Sequence, residues 1–328
     1  MNDVPSETET PNDKAAIDTA SIDSASIDKA RAGRLMRSAT YASVCVAVTL
    51  IVAKLGAWVM TDSVAVLSTL IDSLLDAAAS VITLFAVRHA LVPADSEHRF
   101  GHGKAEALAA LGQAAFITGS ACLLVFEAVR RVFEPHVVTH ELIGIAVMVF
   151  SIVLTLVLVQ YQRYVVRATR SVAITADSLH YIGDLLVNAA VIAALVATAW
   201  LGWRWIDPVL ALLVAAYILI SAWRIVRGSL DMLMDRELPD DERLRIREIA
   251  LAHPEVHDMH DLRSRRSGTD TFIQLHVELD GAMPLSAAHE ISDAIEEEIR
   301  AAFPHAEVII HQDPEGLEED HGKVAFSE

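Results

Sequence analysis

Six long apolar stretches lie at roughly 38–60, 64–89, 108–132, 142–160, 177–201 and 206–226, separated by short polar segments. A helix crossing a hydrocarbon core takes about 20 such residues. Helices also keep every backbone polar group paired internally, as lipid demands. The pattern changes after about residue 229. Pro239-Asp240-Asp241-Glu242 reads as the start of a helix over 239–252, since acids favour a first turn. Residues 256–265 and 271–280 read as strands, and the second partly alternates through Phe272-Ile273-Gln274-Leu275-His276-Val277-Glu278-Leu279. Residues 285–302 read as a helix and Ala306–His311 as a last strand. An α-β-β-α-β order implies a small α+β domain. The predicted fold is therefore an α-helical membrane protein with six transmembrane helices plus a small α+β domain.

Residues 1–32 read as a separate acidic, disordered tail, rich in Ser, Thr, Asp and Ala. An Ile-Asp pair recurs at Ile17-Asp18, Ile22-Asp23 and Ile27-Asp28, and that period fits neither a helix face nor a strand. The expected organisation is this tail, a membrane domain over 33–228, a soluble domain over 229–315 and an acidic tail over 316–328.

Charge sharpens the division. The chain carries a net −18, of which residues 1–30 hold −5, residues 31–228 hold +3 and residues 229–328 hold −16. An acidic soluble portion argues against nucleic acid as a partner. Lys29, Arg31, Arg34, Arg37, Arg88, Arg99, Lys104, Arg163, Arg167, Arg170, Arg224 and Arg227 fall at the tail and at the exits of the even helices. The opposite loops hold Arg130, Arg131 and Arg204. The positive-inside rule then predicts a multi-pass protein of the inner membrane with both termini in the cytoplasm. Trp200, Trp203 and Trp205 sit where an interfacial aromatic belt is expected. Lys54 reads as a snorkelling lysine at the outer end of the first helix, and Cys45 and Cys122 as small buried hydrophobes. Two cysteines make no disulfide framework, and no cleavable signal peptide is visible.

Ionisable residues inside the spans are the sharpest chemical signal. Helix two carries Asp72 and Asp76, and helix five carries His180 and Asp184. Each i,i+4 pair puts two ligands on one helix face, about 5–6 Å apart. A charged Asp at mid-membrane costs roughly 2.5–3.5 kcal/mol, and three carboxylates together need a metal or protons to neutralise them. Two helices each giving two O/N ligands make the four-coordinate shell that Zn²⁺ prefers. Asp177 reads as a cap or interfacial charge at the cytoplasmic helix end.

Two further groups are less determined by spacing. Asp95, His98 and His102 lie within one polar loop and could form a three-ligand site or an ordinary loop. His260, His276, His289, His311 and Asp313 are scattered through the soluble domain, where spacing permits but does not require that they meet. His253 and His257 read as surface histidines. Lys104 begins helix three and Asp235 follows helix six, so an ion pair could hold those helix ends together.

Taken together, Ser63 with Asp72-x3-Asp76, His180-x3-Asp184, Phe100-Gly101-His102-Gly103-Lys104-Ala105-Glu106 and His311-Gln312-Asp313-Pro314 resemble the cation diffusion facilitator family, closest to its bacterial zinc and ferrous-iron efflux branch. The likeness covers about residues 33–315. It implies a homodimer, a cytoplasmic metallochaperone-like domain and proton-coupled antiport. It also implies a transport site at Asp72, Asp76, His180 and Asp184, and a loop site at Asp95, His98 and His102. A binuclear cytoplasmic site would lie at His260, His276, His289, His311 and Asp313, with a salt bridge from Lys104 to Asp235.

The expectation is a divalent-metal exporter, not an enzyme, moving Zn²⁺ against protons and regulated by Zn²⁺. A Fe²⁺, Cd²⁺ or Mn²⁺ exporter is the alternative, because three carboxylates and one imidazole tolerate harder ions. A zinc hydrolase would want a His-Glu-x-x-His run, which is absent. A membrane metal sensor would not need carboxylates inside the spans. The expected partners are a second copy of the chain, metal ions, protons and membrane lipid.

Overall fold

The computed structural model describes residues 11–62, 64–133, 142–201 and 205–316. Ser63, Trp203, Arg204 and all but the first residue of the predicted acidic tail lie outside them. Among the described residues, eight helices and three strands follow one another as α1 (Pro11–Thr61), α2 (Val64–Ala90), α3 (Ala105–Phe133), α4 (Leu142–Thr169), α5 (Val172–Leu201), α6 (Ile206–Leu233), α7 (Asp240–Ala252), β1 (Asp258–Ser267), β2 (Asp270–Leu279), α8 (Leu285–Ala302) and β3 (Ala306–Pro314). The described chain divides into two compact units, one of Arg34–Met234 and the other of the part from Asp235 onward grouped with the segment up to Gly33.

In the first unit α3 packs on α6, and α5 packs against α2, α3, α4 and α6. Among the described residues, α1, α2, α3, α4 and α6 are long and apolar enough to cross a membrane. Helix α5 completes the six and carries Asp177, His180 and Asp184. Small residues dominate the seams: Ala110, Ala114 and Ala121 of α3 meet Ala176 of α5 and Ala222 of α6. In lipid no hydrophobic force draws helices together, so close backbone approach through such residues supplies the packing.

The helices outrun the apolar runs that predict them. Helix α1 starts at Pro11, so helical backbone takes in residues read above as a disordered tail. Pro suits a first helical position, and no Gly or Pro interrupts the chain from there to Gly33. Helix α5 starts at Val172 rather than 177, which places Asp177 inside the helix instead of at its cap. Helix α6 runs on to Leu233, past the expected boundary at 228/229.

Two side-chain expectations are also corrected. Cys45 and Cys122 are exposed on their helices, not buried. A membrane domain turns apolar residues outward to lipid as readily as inward, so apolar character does not tell the faces apart. Lys54 does not reach out to water. Its Nζ donates to Ser73 Oγ at 2.6 Å and to the Thr69 carbonyl at 3.1 Å, so it crosses to α2.

The second unit is the predicted α-β-β-α-β domain. Its sheet has the order β1-β2-β3, with β1 and β2 antiparallel and β2 and β3 parallel. Helix α8 packs on β3 and α7 on β1. Ile246, Met259, Ile273, Leu275, Val277, Ile295 and Ile299 form the centre of its own core.

Candidate metal centres

The i,i+4 spacing on α5 and the neighbouring turn of α2 bring three groups to one point. His180 Nε2 lies 2.9 Å from Asp76 Oδ1 and 3.8 Å from Asp184 Oδ2. Each of the three offers a ligand atom within 4.8 Å of the others. The His180 side chain is 7% exposed, Asp76 21% and Asp184 41%. Asp72, one turn before Asp76, stands outside this group on the exposed face of α2. Two carboxylates and an imidazole make an O/N donor set with one position left for a fourth ligand, which suits Zn²⁺ and other borderline or harder divalent ions.

One turn before His180 on α5, Asp177 is buried, where sequence placed a cap or interfacial charge. It accepts hydrogen bonds from Ser43 and Gln162 at 2.6 and 2.7 Å. The reason is the extra helical turn at the start of α5, which carries Asp177 inward.

The loop between α2 and α3 gathers Asp95, His98 and His102 into a second group within 4.8 Å. Asp95 Oδ1 accepts the backbone N–H groups of His98 at 2.6 Å and Glu97 at 2.9 Å, closing a tight polar turn. The His98 N–H, followed by that of Glu97, holds the Asp95 carboxyl below the usual carboxylate range. His98 Nδ1 and His102 Nε2 each lie 3.4 Å from an Asp95 oxygen. His102 Nδ1 sits 3.3 Å from the Val92 carbonyl oxygen. With the proton on Nδ1, that contact leaves Nε2 free as a ligand. His89, at the end of α2, packs edge-on to His102 with ring centroids 4.7 Å apart, a neighbour that spacing did not single out.

In the second unit the strand register builds the site. His260 of β1 pairs with His276 of β2, and His276 pairs with His311 of β3. Asp313, two residues on, returns to the same face because strand side chains alternate. His260, His276 and Asp313 form a third group within 4.8 Å. Asp313 is buried and receives His276 Nδ1 at 2.8 Å, His311 Nε2 at 3.2 Å and His260 Nε2 at 3.3 Å. Glu278 lies 3.6 Å from His260 and Asp261 3.8 Å from His276, two carboxylates missed from sequence. Glu278 was findable as the residue two past His276 on one strand face. His289 stands apart on α8, 69% exposed and paired with Asp293 at 3.5 Å. His257 is half exposed and meets Glu315 at 2.9 Å, in keeping with a surface histidine.

Lys104 and Asp235 belong to different units. Within its own unit Lys104 Nζ donates to the Leu233 carbonyl at 3.4 Å, and within the other Asp235 accepts from Arg265 at 3.1 Å.

A bundle of long apolar helices, with carboxylates and an imidazole converging inside it, is the architecture of a multi-pass membrane transporter for cations. Known proteins narrow the class. The family model for the cation efflux transmembrane domain matches residues 40–234, and that for the cation efflux protein, cytoplasmic domain, matches residues 238–315. The chain belongs to the cation efflux family, also called the cation diffusion facilitators. The cation-efflux pump FieF of Shewanella oneidensis is 49% identical over 283 residues, covering 86% of this chain and 95% of the relative. FieF of Serratia proteamaculans is 47% identical over 281 residues, covering 86% and 93%. Among solved structures, the metal-bound C-terminal domain of the CzcD transporter from Thermotoga maritima is 33% identical. It covers 25% of this chain and all of that one, with a TM-score of 0.23.

Proposed function

We propose that this transporter exports a divalent cation, Zn²⁺ first among the candidates, from the cytoplasm in exchange for protons. The observation that carries the reading is the convergence of Asp76, His180 and Asp184 within 4.8 Å, on two helices of the membrane domain. Asp72, one helical turn from Asp76, is the available fourth ligand. With Asp72 the shell would be tetrahedral, the geometry Zn²⁺ prefers. Three oxygens and one nitrogen also accommodate Fe²⁺, Cd²⁺ or Mn²⁺, and relatives bearing the name cation-efflux pump are consistent with any of these.

Coupling follows from ligand chemistry. A metal takes deprotonated ligands, so loading the site expels protons. Carboxylates and an imidazole crowded together in a poorly hydrated bundle take protons back when the metal leaves. Alternating exposure of one fixed site to the two sides then exchanges metal for protons. The activity is transport, with no bond made or broken in a substrate.

The remaining parts fit the same scheme. The inner membrane with both termini cytoplasmic follows from the distribution of Lys and Arg. A homodimer would bring two acidic second domains together. Zn²⁺ at His260, His276, His311 and Asp313, with His289 as a further ligand, would lower their repulsion. Lys104 and Asp235 would pair to hold helix ends together.

The test is uptake of Zn²⁺, Cd²⁺, Fe²⁺ and Mn²⁺ into inverted vesicles under an imposed pH gradient, with protons counted by a dye in weakly buffered solution. Zn²⁺ uptake accompanied by proton release supports the exchange. Uptake that ignores the gradient and releases no protons would leave a uniporter.

A further inference from the structure

One turn from His180 toward the start of α5 lies a buried polar layer that metal binding does not use. Asp177 is 1% exposed. Its Oδ2 accepts from Ser43 Oγ of α1 at 2.6 Å and from Gln162 Nε2 of α4 at 2.7 Å. Its Oδ1 accepts from Gln113 Nε2 of α3 at 3.2 Å and from Ser80 Oγ of α2 at 3.4 Å. One carboxylate therefore ties four helices to a fifth. Secondary bonds brace the layer: Gln162 Nε2 to Ser43 Oγ at 2.9 Å, Gln113 Nε2 to Thr83 Oγ1 at 2.8 Å, and the Tyr181 and Ser80 hydroxyls at 2.9 Å. The hydrogen-bond partners of Asp177 are all neutral groups, each donated by a different element, so the bonds hold only while the helices stay together.

Exposure is graded along α5. Asp184 is 41% exposed, His180 7% and Asp177 1%. Burial of these groups thus deepens toward the α5 N-terminus. Still nearer that end, Glu106 of α3 is buried and hydrogen-bonded to Ser171, so the polar column continues.

Two atoms keep the seal reversible. Gln113 Oε1 and Gln162 Oε1 are buried without a hydrogen-bond partner. An unmet acceptor is costly in a low dielectric, and the cost is relieved once water enters. The layer thus has strong bonds that favour closure and unmet acceptors that favour hydration when it parts.

We infer that Asp177 is a positioning residue of the transport cycle, the latch of a gate that closes the metal site on the α5 N-terminal side. In the orientation proposed above that side is the cytoplasm, and the purpose of the gate rests on that transport reading. Metal arriving from there crosses this layer before it reaches His180. Opening requires α1, α2, α3 and α4 to release the carboxylate.

The experiment uses the full chain with Cys45→Ser and Cys122→Ser as background. Single cysteines are placed at Ala110, buried on α3 three residues toward its start from Gln113, and at Ala121, buried beyond the layer. A membrane-impermeant thiol reagent is applied to inverted and to right-side-out vesicles. Asp177→Asn replaces one accepting oxygen by an NH2 group that cannot accept, so labelling of Ala121→Cys, on the far side of the layer, should rise about fivefold or more from the cytoplasmic face. Labelling of Ala110→Cys, on the near side, should stay unchanged, Zn²⁺ affinity should stay within about threefold and turnover should fall, while Asp177→Glu restores part of the closure. Equal rises at both cysteines would mean general loosening and would overturn the latch, as would no rise at either. If Asp177→Asn fails to insert, Ser43→Ala removes a single tie and should give the same asymmetry in smaller measure. Its absence there overturns the inference. Wild-type vesicles assayed for Zn²⁺ uptake in parallel report on the transport reading separately, since labelling needs no flux.

Discussion

His180 Nε2 and Asp76 Oδ1 stand 2.9 Å apart and join α5 to α2 inside the membrane domain. The candidate metal site is therefore shared between two helices, not built on one. Any movement of α2 against α5 changes the site, and any ion that binds both ligands clamps those helices together.

The first prediction follows from that sharing. Asp76→Ala or Asp184→Ala should cut Zn²⁺ flux by about 100-fold or more, because even outer partners of a metal site cost 10–100-fold when removed. Insertion and dimerisation should persist. Near-normal uptake of radioactive zinc in either variant would take this site out of the mechanism.

Asp72 carries the second prediction. It stands outside the three-residue group. If it completes the tetrahedral shell, X-ray absorption of the zinc-loaded membrane domain should count four O/N ligands in wild type. Asp72→Ala should replace one of them by water and lose transport. Asp72→His makes a softer two-nitrogen site, and Cd²⁺ uptake should shift relative to Zn²⁺. An unchanged Zn²⁺/Cd²⁺ ratio together with unaffected flux in Asp72→Ala would leave Asp72 no part in the shell.

The second domain gives the third prediction. It has its own core, so residues 229–328 expressed alone should fold. Zn²⁺ should raise its Tm and promote its self-association. His276→Ala should abolish the shift, since His276 touches Asp313 at 2.8 Å. His289→Ala should leave the first bound ion in place, because His289 lies away on α8 beside Asp293. Self-association that ignores Zn²⁺ and chelator alike would end the regulatory reading.

The fourth prediction concerns pH. The backbone N–H of His98, and next that of Glu97, hold Asp95 below the ordinary carboxylate range. For a carboxyl lowered on folding, the stabilisation is full above the unfolded pKa and is lost as pH falls through the lower folded one. Amide protection at His98 should therefore persist below the pH at which ordinary Asp residues take up a proton. Asp95→Ala, which removes the acceptor, should lose that protection at all pH values. Equal protection in the two proteins would show that the turn is held by other bonds.

Much of this was legible in the sequence. The i,i+4 pairs on α2 and α5 show in the spacing because a helix translates spacing directly into a shared face. The α-β-β-α-β order is visible for the same reason: periodicity changes where the element changes. Lys54 and Asp177 were misread because a lone charge in an apolar run has no local signature of its partner. Ser73 lies on another helix from Lys54, and Asp177 answers to residues on four others. Cys45 and Cys122 were misread because in lipid an apolar residue is at home on either face of a helix. The meeting of His260, His276 and His311 could not be derived from spacing, since it depends on how three strands pair.

That pairing has a consequence for which changes the domain can survive. A single residue inserted or deleted in β2 between Thr271 and His276 would keep the hydrogen-bonded ladder but turn His276 to the opposite face of the sheet. Val277, which follows the change, would turn from the core to the opposite face in exchange. The candidate metal site and hydrophobic burial are thus encoded in one and the same parity. The strand cannot drift in length without losing both at once, whereas its connecting turn at Gly268, which closes the hairpin with a positive φ of 63°, is the place where length could vary.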